Sequence, residues 1–271
     1  MIDRGRQAVL LRSVLEQATH RIVVRRRLPA PFGTARIYVS SEGGLRYLAR
    51  GMAQADPALL RLAAEAVRPG ATVWDIGANL GLFSFAAAVA AGPSGRVLAV
   101  EPDTVMAGLL RRSARVNRGH APVEVLAAAV SDQVSVARLC IARRNRSTNH
   151  LDGFGTSQTG GVRGTHLVPA VTLDWLASGL GFPDVVKIDV EQAETAVLAG
   201  ASQVLERAAA VICEVAGHNS AAVGDLLSGH GYTLYDADLH AGERLPLTGA
   251  PPNTLAIREA AWAVAAQVDN S

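Results

Sequence analysis

From Ala71 onward, short apolar runs alternate with stretches whose apolar residues recur at helical spacing. The runs are ATVWDIG, RVLAVEP, EVLAAAVSD, DVVKIDV and AAVICEV, with a closing pair at YTLYDA and NTLAIRE. This alternation predicts an α/β domain in which a mostly parallel sheet carries helices on both faces, because parallel neighbours need crossovers and helices supply them. Upstream, ARIYVSSEGGLRYLARG predicts a strand or a short hairpin turning at Gly43-Gly44. Asp56-Pro57 caps a helix, PALLRLAAEAVR, with the carboxylate at N-cap and the ring at N1. At the start of the chain Leu11, Val14, Leu15, Ala18 and Ile22 share one helical face, so an amphipathic helix is expected to end in Arg25-Arg26-Arg27. The pattern divides the chain into a helical arm over 1–35, a main domain over 36–260 and a tail over 261–271. One stretch, 143–166, follows neither period: glycines among Ser, Thr and Asn read as a long irregular loop.

At 271 residues with 49% hydrophobic but only 4% aromatic content, the chain fits one large domain whose core is built from Ala, Val and Leu. Cys140 and Cys213 sit in apolar runs without neighbours at metal-ligand spacing, which excludes a disulfide framework and a zinc site and predicts buried, inert thiols. The apolar runs near the start are broken by Arg12, Glu16 and Arg21, so no secretory signal is read, and no run approaches the length of a membrane span. A soluble, cytoplasmic protein with no membrane partner is expected. A net charge of +2 falls short of a dense nucleic-acid-binding surface. The split within that charge changes the picture more: of 26 basic residues 25 are Arg, and the single Lys is Lys187. That points to a place where a compact ammonium is wanted.

In an open parallel sheet, ligands sit outside the carboxyl ends of the strands, closest to the first strand-to-helix turn. Here that turn reads Asp75-Ile76-Gly77-Ala78-Asn79-Leu80-Gly81. Gly77 and Gly81 allow close backbone approach, while Asp75 and Asn79 offer polar groups. A carboxylate at Asp75 would repel a pyrophosphate, so the turn suits a ligand bearing an ammonium group better than a dinucleotide. Glu101 ends the next strand, at the register, about 20 residues past the turn, of an acid that accepts ribose hydroxyls. Ser131 and Asp132 end the third, where a small polar group can reach an adenine edge. Acidic turn, ribose acid and adenine contact together fit S-adenosylmethionine, which is zwitterionic and lacks phosphate.

The fourth strand ends in Lys187-Ile188-Asp189-Val190-Glu191, across the switch point from the ribose. Period-2 alternation puts Lys187, Asp189 and Glu191 on one side while the strand persists, and Lys187 is expected to meet a carboxylate because an unpaired buried charge is costly.

These motifs resemble a known family. VWDIGANLGLFSF (73–85), Glu101-Pro102, Asn117, Ala129 to Asp132, Thr172-Leu173-Asp174, KIDVEQAE (187–194), Leu198 to Ala201 and Glu214 look like the FkbM family of S-adenosylmethionine-dependent methyltransferases, over roughly Ile37 to Ile257. The resemblance implies a class I methyltransferase, Rossmann-like fold: a seven-stranded sheet, mostly parallel with the last strand antiparallel. It also implies O-methylation of hydroxyls on sugars or secondary metabolites, hence a small hydroxylated acceptor as partner. One position departs from the family pattern: Gln192 stands where the family usually has Gly, and its side chain is expected to narrow the acceptor pocket or add a hydrogen bond to it.

Methyl transfer from a sulfonium needs acceptor oxygen, methyl and sulfur in line, and an aliphatic hydroxyl must also lose its proton. Asp189 is the expected base or acceptor orienter, with Lys187 and Glu191 setting its charge and position. A secondary reading places Mg2+ between Asp189 and Glu214 with Asn219 or His218. RNA methylation and a non-catalytic cofactor-binding regulator are the alternatives. The first lacks an aromatic platform for flipped bases, and the second would not need the Lys-Asp-Glu cluster. A homo-oligomer is compatible with the pattern. The 143–166 stretch, with Asn149 and His150, is the candidate lid over the acceptor.

Overall fold

The computed structural model describes residues 22–44, 46–49, 52, 55–143, 145–155, 161–259 and 262. The described part opens on an antiparallel hairpin, β1 (Val23–Arg27) with β2 (Arg36–Ser40). Arg25-Arg26-Arg27 therefore lie in a strand, not at the end of a helix; residues 1–21, which carry the rest of the expected helix, lie outside the described residues. The hairpin turns upstream of β2, in the Pro29–Gly33 segment, and the predicted turn at Gly43-Gly44 instead ends a single 3-10 turn, Ser41–Gly43. The pairing locks because Ile37 and Val39 on one face of β2 are fully buried, and because the free amides of Arg36 and Tyr38 are capped by the side chains of Asn117 and Ser113.

The main domain follows as α1 (Pro57–Ala66), β3 (Thr72–Ile76), α2 (Leu82–Ala91), β4 (Arg96–Val100), α3 (Thr104–Val116) and β5 (Val123–Leu126). Asp56 caps α1 as expected, accepting from the Leu59 amide at 3.0 Å. Next come β6 (Ala129–Val130), β7 (Ser135–Ala142), β8 (His150–Leu151) and β9 (Val162–Val171). The chain then returns to βα alternation with α4 (Leu173–Leu180), β10 (Val185–Ile188), α5 (Glu194–Ala199), β11 (Ala210–Glu214), α6 (Ser220–Gly229), β12 (Thr233–Asp236) and β13 (Asn253–Ile257).

Seven strands form one sheet in the order β12-β13-β11-β10-β3-β4-β5, and only β13 runs against its neighbours. This is the architecture that the motifs implied. Alternation along each strand builds two cores: Val73, Val97 and Ile212 face α1 and α2, whereas Trp74, Leu98, Val186 and Val211 face α4 to α6. Helix α2 is buried on nearly every side, and its run of Ala86, Ala87, Ala88 and Ala91 lets it pack close to the sheet without large rings.

The segment read as EVLAAAVSD is not one strand. It leaves the main sheet after Leu126, and Ala129-Val130 pair with β9 in a separate four-stranded sheet, order β6-β9-β7-β8. The stretch expected as an irregular loop contributes 150–151 and 162–166 to this inserted sheet, which has its own apolar centre of Leu139, Ile141, Leu151 and Val168; residues 144 and 156–160 lie outside the described residues. Both cysteines are buried and free. Among the described residues no helix is long and apolar enough to cross a membrane.

Two glycines, both at positive φ, separate packing from backbone strain. Gly77 has φ +74, and a Cβ there would lie 1.7 Å from the Asp189 carbonyl oxygen, whereas Gly92 at φ +65 has open space around it. Gly77→Ala is expected to abolish soluble folding or to lower unfolding free energy by at least about 3 kcal/mol, and Gly92→Ala by only about 1 kcal/mol, in chemical denaturation.

Candidate functional site

A cavity of about 550 Å3 opens at the carboxyl ends of β3, β4, β10 and β11, within the size range of small-molecule sites. Its floor is organised by Lys187. Parallel register sets Lys187 on β10 directly beside Asp75 on β3, and both side chains project to the same face of the sheet. The ammonium lies 3.2 Å from Asp75 Oδ1 and 3.3 Å from Asp189 Oδ2, and it donates to the Gly77 carbonyl at 3.1 Å. Burial alone would push Lys187 down, but attraction to Asp189 and Asp75 outweighs it and holds the group up, so it is a cation throughout the neutral range.

Asp75 is fully buried, with Oδ2 accepting from the Ser84 hydroxyl and Oδ1 facing Lys187. Oδ1 has the Lys187 ammonium as ion-pair partner but no hydrogen bond, and Asp75 lines the cavity, so the residue serves first as counter-ion to Lys187. Asn79 can meet the ammonium group of a ligand: it lines the cavity, and its Oδ1 is buried without a hydrogen-bond partner. Gly77 lines the cavity too, but its side-chain position is filled by the Asp189 carbonyl. Gly81 does not line it; a Cβ there would strike Leu110 and Phe85, so this glycine serves helix packing rather than ligand approach.

Glu101 faces the cavity where the ribose acid was expected. Its Oε2 accepts from the Asn79 amide and its Oε1 from the Asp103 amide, each at 2.8 Å, leaving each oxygen a further lone pair. Burial pushes its carboxyl up to about 7, more than those two amides pull it down. Ser131 and Asp132 do not reach this end. Because the chain leaves the main sheet after β5, the wall there is Ala128 to Val130, and Ser131 and Asp132 pack instead against Gly200.

The β7–β8 segment closes the same end. Asp103 Oδ2 is bridged by the Arg146 guanidinium and by Asn149 Nδ2 at 2.7 Å, and Arg146 also reaches Glu42 at 3.2 Å. Asn149 and His150, expected in a lid over the acceptor, are thereby anchored two residues past Glu101, on the ribose side. Nothing in the sequence pattern singled out Arg146, because its partners Asp103 and Glu42 are distant in the chain.

On the opposite side, β10 runs into a turn in which Glu191 (φ 50) and Gln192 (φ 78) both adopt left-handed backbone. That conformation favours Gly, which accounts for the residue usual in the family at 192. Gln192 does not line the cavity; its side chain packs against Gly155, so it neither narrows the pocket nor adds a bond to it. The turn is held by buried Glu194, which accepts from the Gln192 amide at 2.7 Å and from Asn219 at 2.7 Å. Asp189, Glu191 and Glu214 line the cavity beside it. Burial, and then the charges of Asp189, Glu214 and Glu194, push Glu191 up to about 8. As for the Mg2+ reading, Asn219 is committed to Glu194 and the Gln192 carbonyl, His218 is exposed, and no group of three or more His, Cys, Asp or Glu is placed to hold a metal among the described residues.

Comparison with known proteins adds a family and a set of distant folds. The family described as the methyltransferase FkbM domain matches residues 75–234. No curated protein matches in sequence. Among solved structures, the chain is similar to the precorrin-6y C5,15-methyltransferase of Geobacter metallireducens GS-15, with 15% identity over 78% of this chain and 88% of that one, at a TM-score of 0.41. It is similar to a methyltransferase from Pyrococcus furiosus, with 12% identity over 94% and 99% at a TM-score of 0.41. It is also similar to the tRNA (uracil-54, C5)-methyltransferase of Pyrococcus abyssi in complex with S-adenosyl-L-homocysteine, with 13% identity over 87% and 42% at a TM-score of 0.42.

Two raised carboxyls fix the sign of a pH dependence. Glu101 and Glu191 move from 4.5 to about 7 and about 8, so the folded chain holds these protons more tightly than the unfolded chain. Stability of the ligand-free protein is therefore expected to be greatest below pH 4.5 as far as these groups decide it, and to fall as pH rises toward 8. Glu191→Gln should flatten the fall between pH 7 and 8 in denaturation curves taken at stepped pH.

Proposed function

Since the chain belongs to the methyltransferase FkbM domain family and is thereby an S-adenosylmethionine-dependent methyltransferase, we propose that it methylates a hydroxyl of a small acceptor, a sugar or a secondary metabolite. The observation that carries this reading is the Asp189 carboxylate on the cavity wall, one oxygen held by Lys187 and the other without a partner among the described residues. The side chain is 34% exposed, enough to meet an acceptor from the cavity.

The residues present fit the cofactor. The orphaned Asn79 Oδ1 offers an acceptor for its ammonium group, and Glu101 offers two lone pairs for the ribose diol. The carboxylate-rich walls suit a sulfonium. When bound, the cofactor supplies an electrophilic methyl group; the rest falls to the chain. Asp189 Oδ1 receives the proton of the acceptor hydroxyl, and Lys187, bonded to Oδ2, fixes the orientation of that carboxylate and balances its charge. Glu191 keeps its proton at neutral pH, which spares the cluster another adjacent negative charge and leaves an O–H to donate to the acceptor.

The charge of the cavity supports a small uncharged acceptor over RNA. Asp56, Glu214 and Asp238 line it in addition to the residues above, and a phosphate brought among them would meet like charge.

Asp189→Asn keeps size and the backbone contact with Gly77 but removes the proton acceptor. It is expected to lower kcat by at least about 100-fold while calorimetry finds the affinity for S-adenosylhomocysteine within about twofold of the unaltered protein. Turnover assayed with labelled cofactor against hydroxylated sugars, phosphorylated sugars and RNA should appear with the first group. Near-native turnover in Asp189→Asn, or methylation confined to RNA, would overturn the proposal.

A further inference from the structure

The adenine edge expected to be read by Ser131 and Asp132 faces a cavity wall in which neither residue takes part. Another side chain stands there. His150 opens β8 opposite Cys140 on β7, is 7% exposed, and lines the cavity. Its imidazole has no hydrogen-bond or ionic partner among the described residues. Neither ring nitrogen is a fully enclosed unpaired atom, so the small exposed part of this buried residue gives the imidazole access to the cavity, where a ligand can pair with it.

The surroundings say which part of a ligand. His150 lines the cavity together with Val130 and Pro102, the residue after Glu101, whereas Leu139 and Leu151 pair with each other one position along and turn to the other face of the inserted sheet. Val130 and Pro102 are the apolar surface that a flat heterocycle joined to a ribose at Glu101 would meet. The segment carrying His150 is also held in position from the cofactor side, because Arg146 and Asn149 both bind Asp103. A neutral imidazole offers one donor and one acceptor, matching the mixed donor and acceptor edge of adenine.

We propose that His150 is a cofactor-binding residue that hydrogen-bonds the edge of the adenine ring, so that the β-insertion rather than the end of the third core strand reads the base. The proposal rests on the methyltransferase reading above. It makes the insertion part of the nucleoside site instead of an acceptor lid.

Calorimetry with S-adenosylhomocysteine and with 5′-methylthioadenosine, which keeps the nucleoside and lacks the amino acid, tests it on the full chain. His150→Phe should weaken both ligands by the same factor, about tenfold, and the smaller His150→Leu should repeat the loss, which shows that it does not come from crowding by the phenylalanine ring. His150→Gln, which keeps a donor and an acceptor, should recover most of the affinity. Asn79→Ala should weaken S-adenosylhomocysteine alone. Unchanged affinities in both His150→Phe and His150→Leu overturn the assignment, as does a loss confined to S-adenosylhomocysteine, which would put His150 at the amino acid end. Failure of the unaltered protein to bind either ligand would instead overturn the methyltransferase reading itself.

Discussion

The site depends on one buried cation. Lys187 sits between Asp75 and Asp189 and also binds the Gly77 carbonyl, so a single ammonium joins the ends of β3 and β10 at three points. Taking these charges out of water is expensive, and the arrangement persists because each has a partner at hydrogen-bond distance. The consequences spread outward from it. The strand ends approach so closely that position 77 admits no side chain. Asp189 is left with one oxygen fixed and one turned to the cavity, and the acidic turn that would otherwise face a ligand is neutralised from below. An arginine would not substitute, since a planar fork cannot converge on three oxygens the way a tetrahedral ammonium does. That geometry is a physical reason for the lone lysine in a chain with 25 arginines.

Around this centre the two ends of the cavity are built differently. The end at Glu101 is a lattice of fixed hydrogen bonds: Glu101 is held by two backbone amides, and Asp103 by Arg146 and Asn149. Such a wall is preformed and suits a ligand that is always the same. The other end is a set of carboxylates, Asp189, Glu191 and Glu214, on a turn strained into left-handed backbone at two successive residues and pinned by Glu194 and Asn219. Strained backbone of this kind costs free energy and persists where surrounding bonds over-determine it. The division into a hydrogen-bonded half and a carboxylate half follows from which strands supply each: β3 and β4 with the inserted sheet on one side, β10 and β11 on the other.

The core strands were legible because β3, β4, β10 and β11 are apolar runs buried along almost their whole length, and a parallel sheet leaves little freedom in how such runs pair. Lys187, Asp189 and Glu101 were legible for the same reason, being polar residues at the ends of runs that are otherwise apolar. What misled was local. EVLAAAVSD is uniformly apolar, and nothing within it marks the point after Leu126 where the chain crosses to a second sheet, so Ser131 and Asp132 were placed at an edge they do not occupy. The 143–166 stretch has glycines and short polar residues that suggest a loop, yet long-range pairing with β7 makes its last five residues, 162–166, part of a strand. Arg25 to Arg27 continued a helical pattern and were drawn into a strand by the hydrogen-bonding edge of β2.

The sequence by itself therefore determined the alternating architecture, the family and the strand ends that line the cavity, because hydrophobic period and motif spacing are properties of neighbouring residues. The tertiary structure alone decided the roles within the site. It made Asp75 the counter-ion of Lys187, gave Gly77 and Gly81 packing duties, moved Gln192 out of the pocket, and brought His150 of the inserted sheet to the cavity. Each of those outcomes depends on residues far apart in the chain meeting at a particular distance, and pairing register and burial exist only once the sheet has formed.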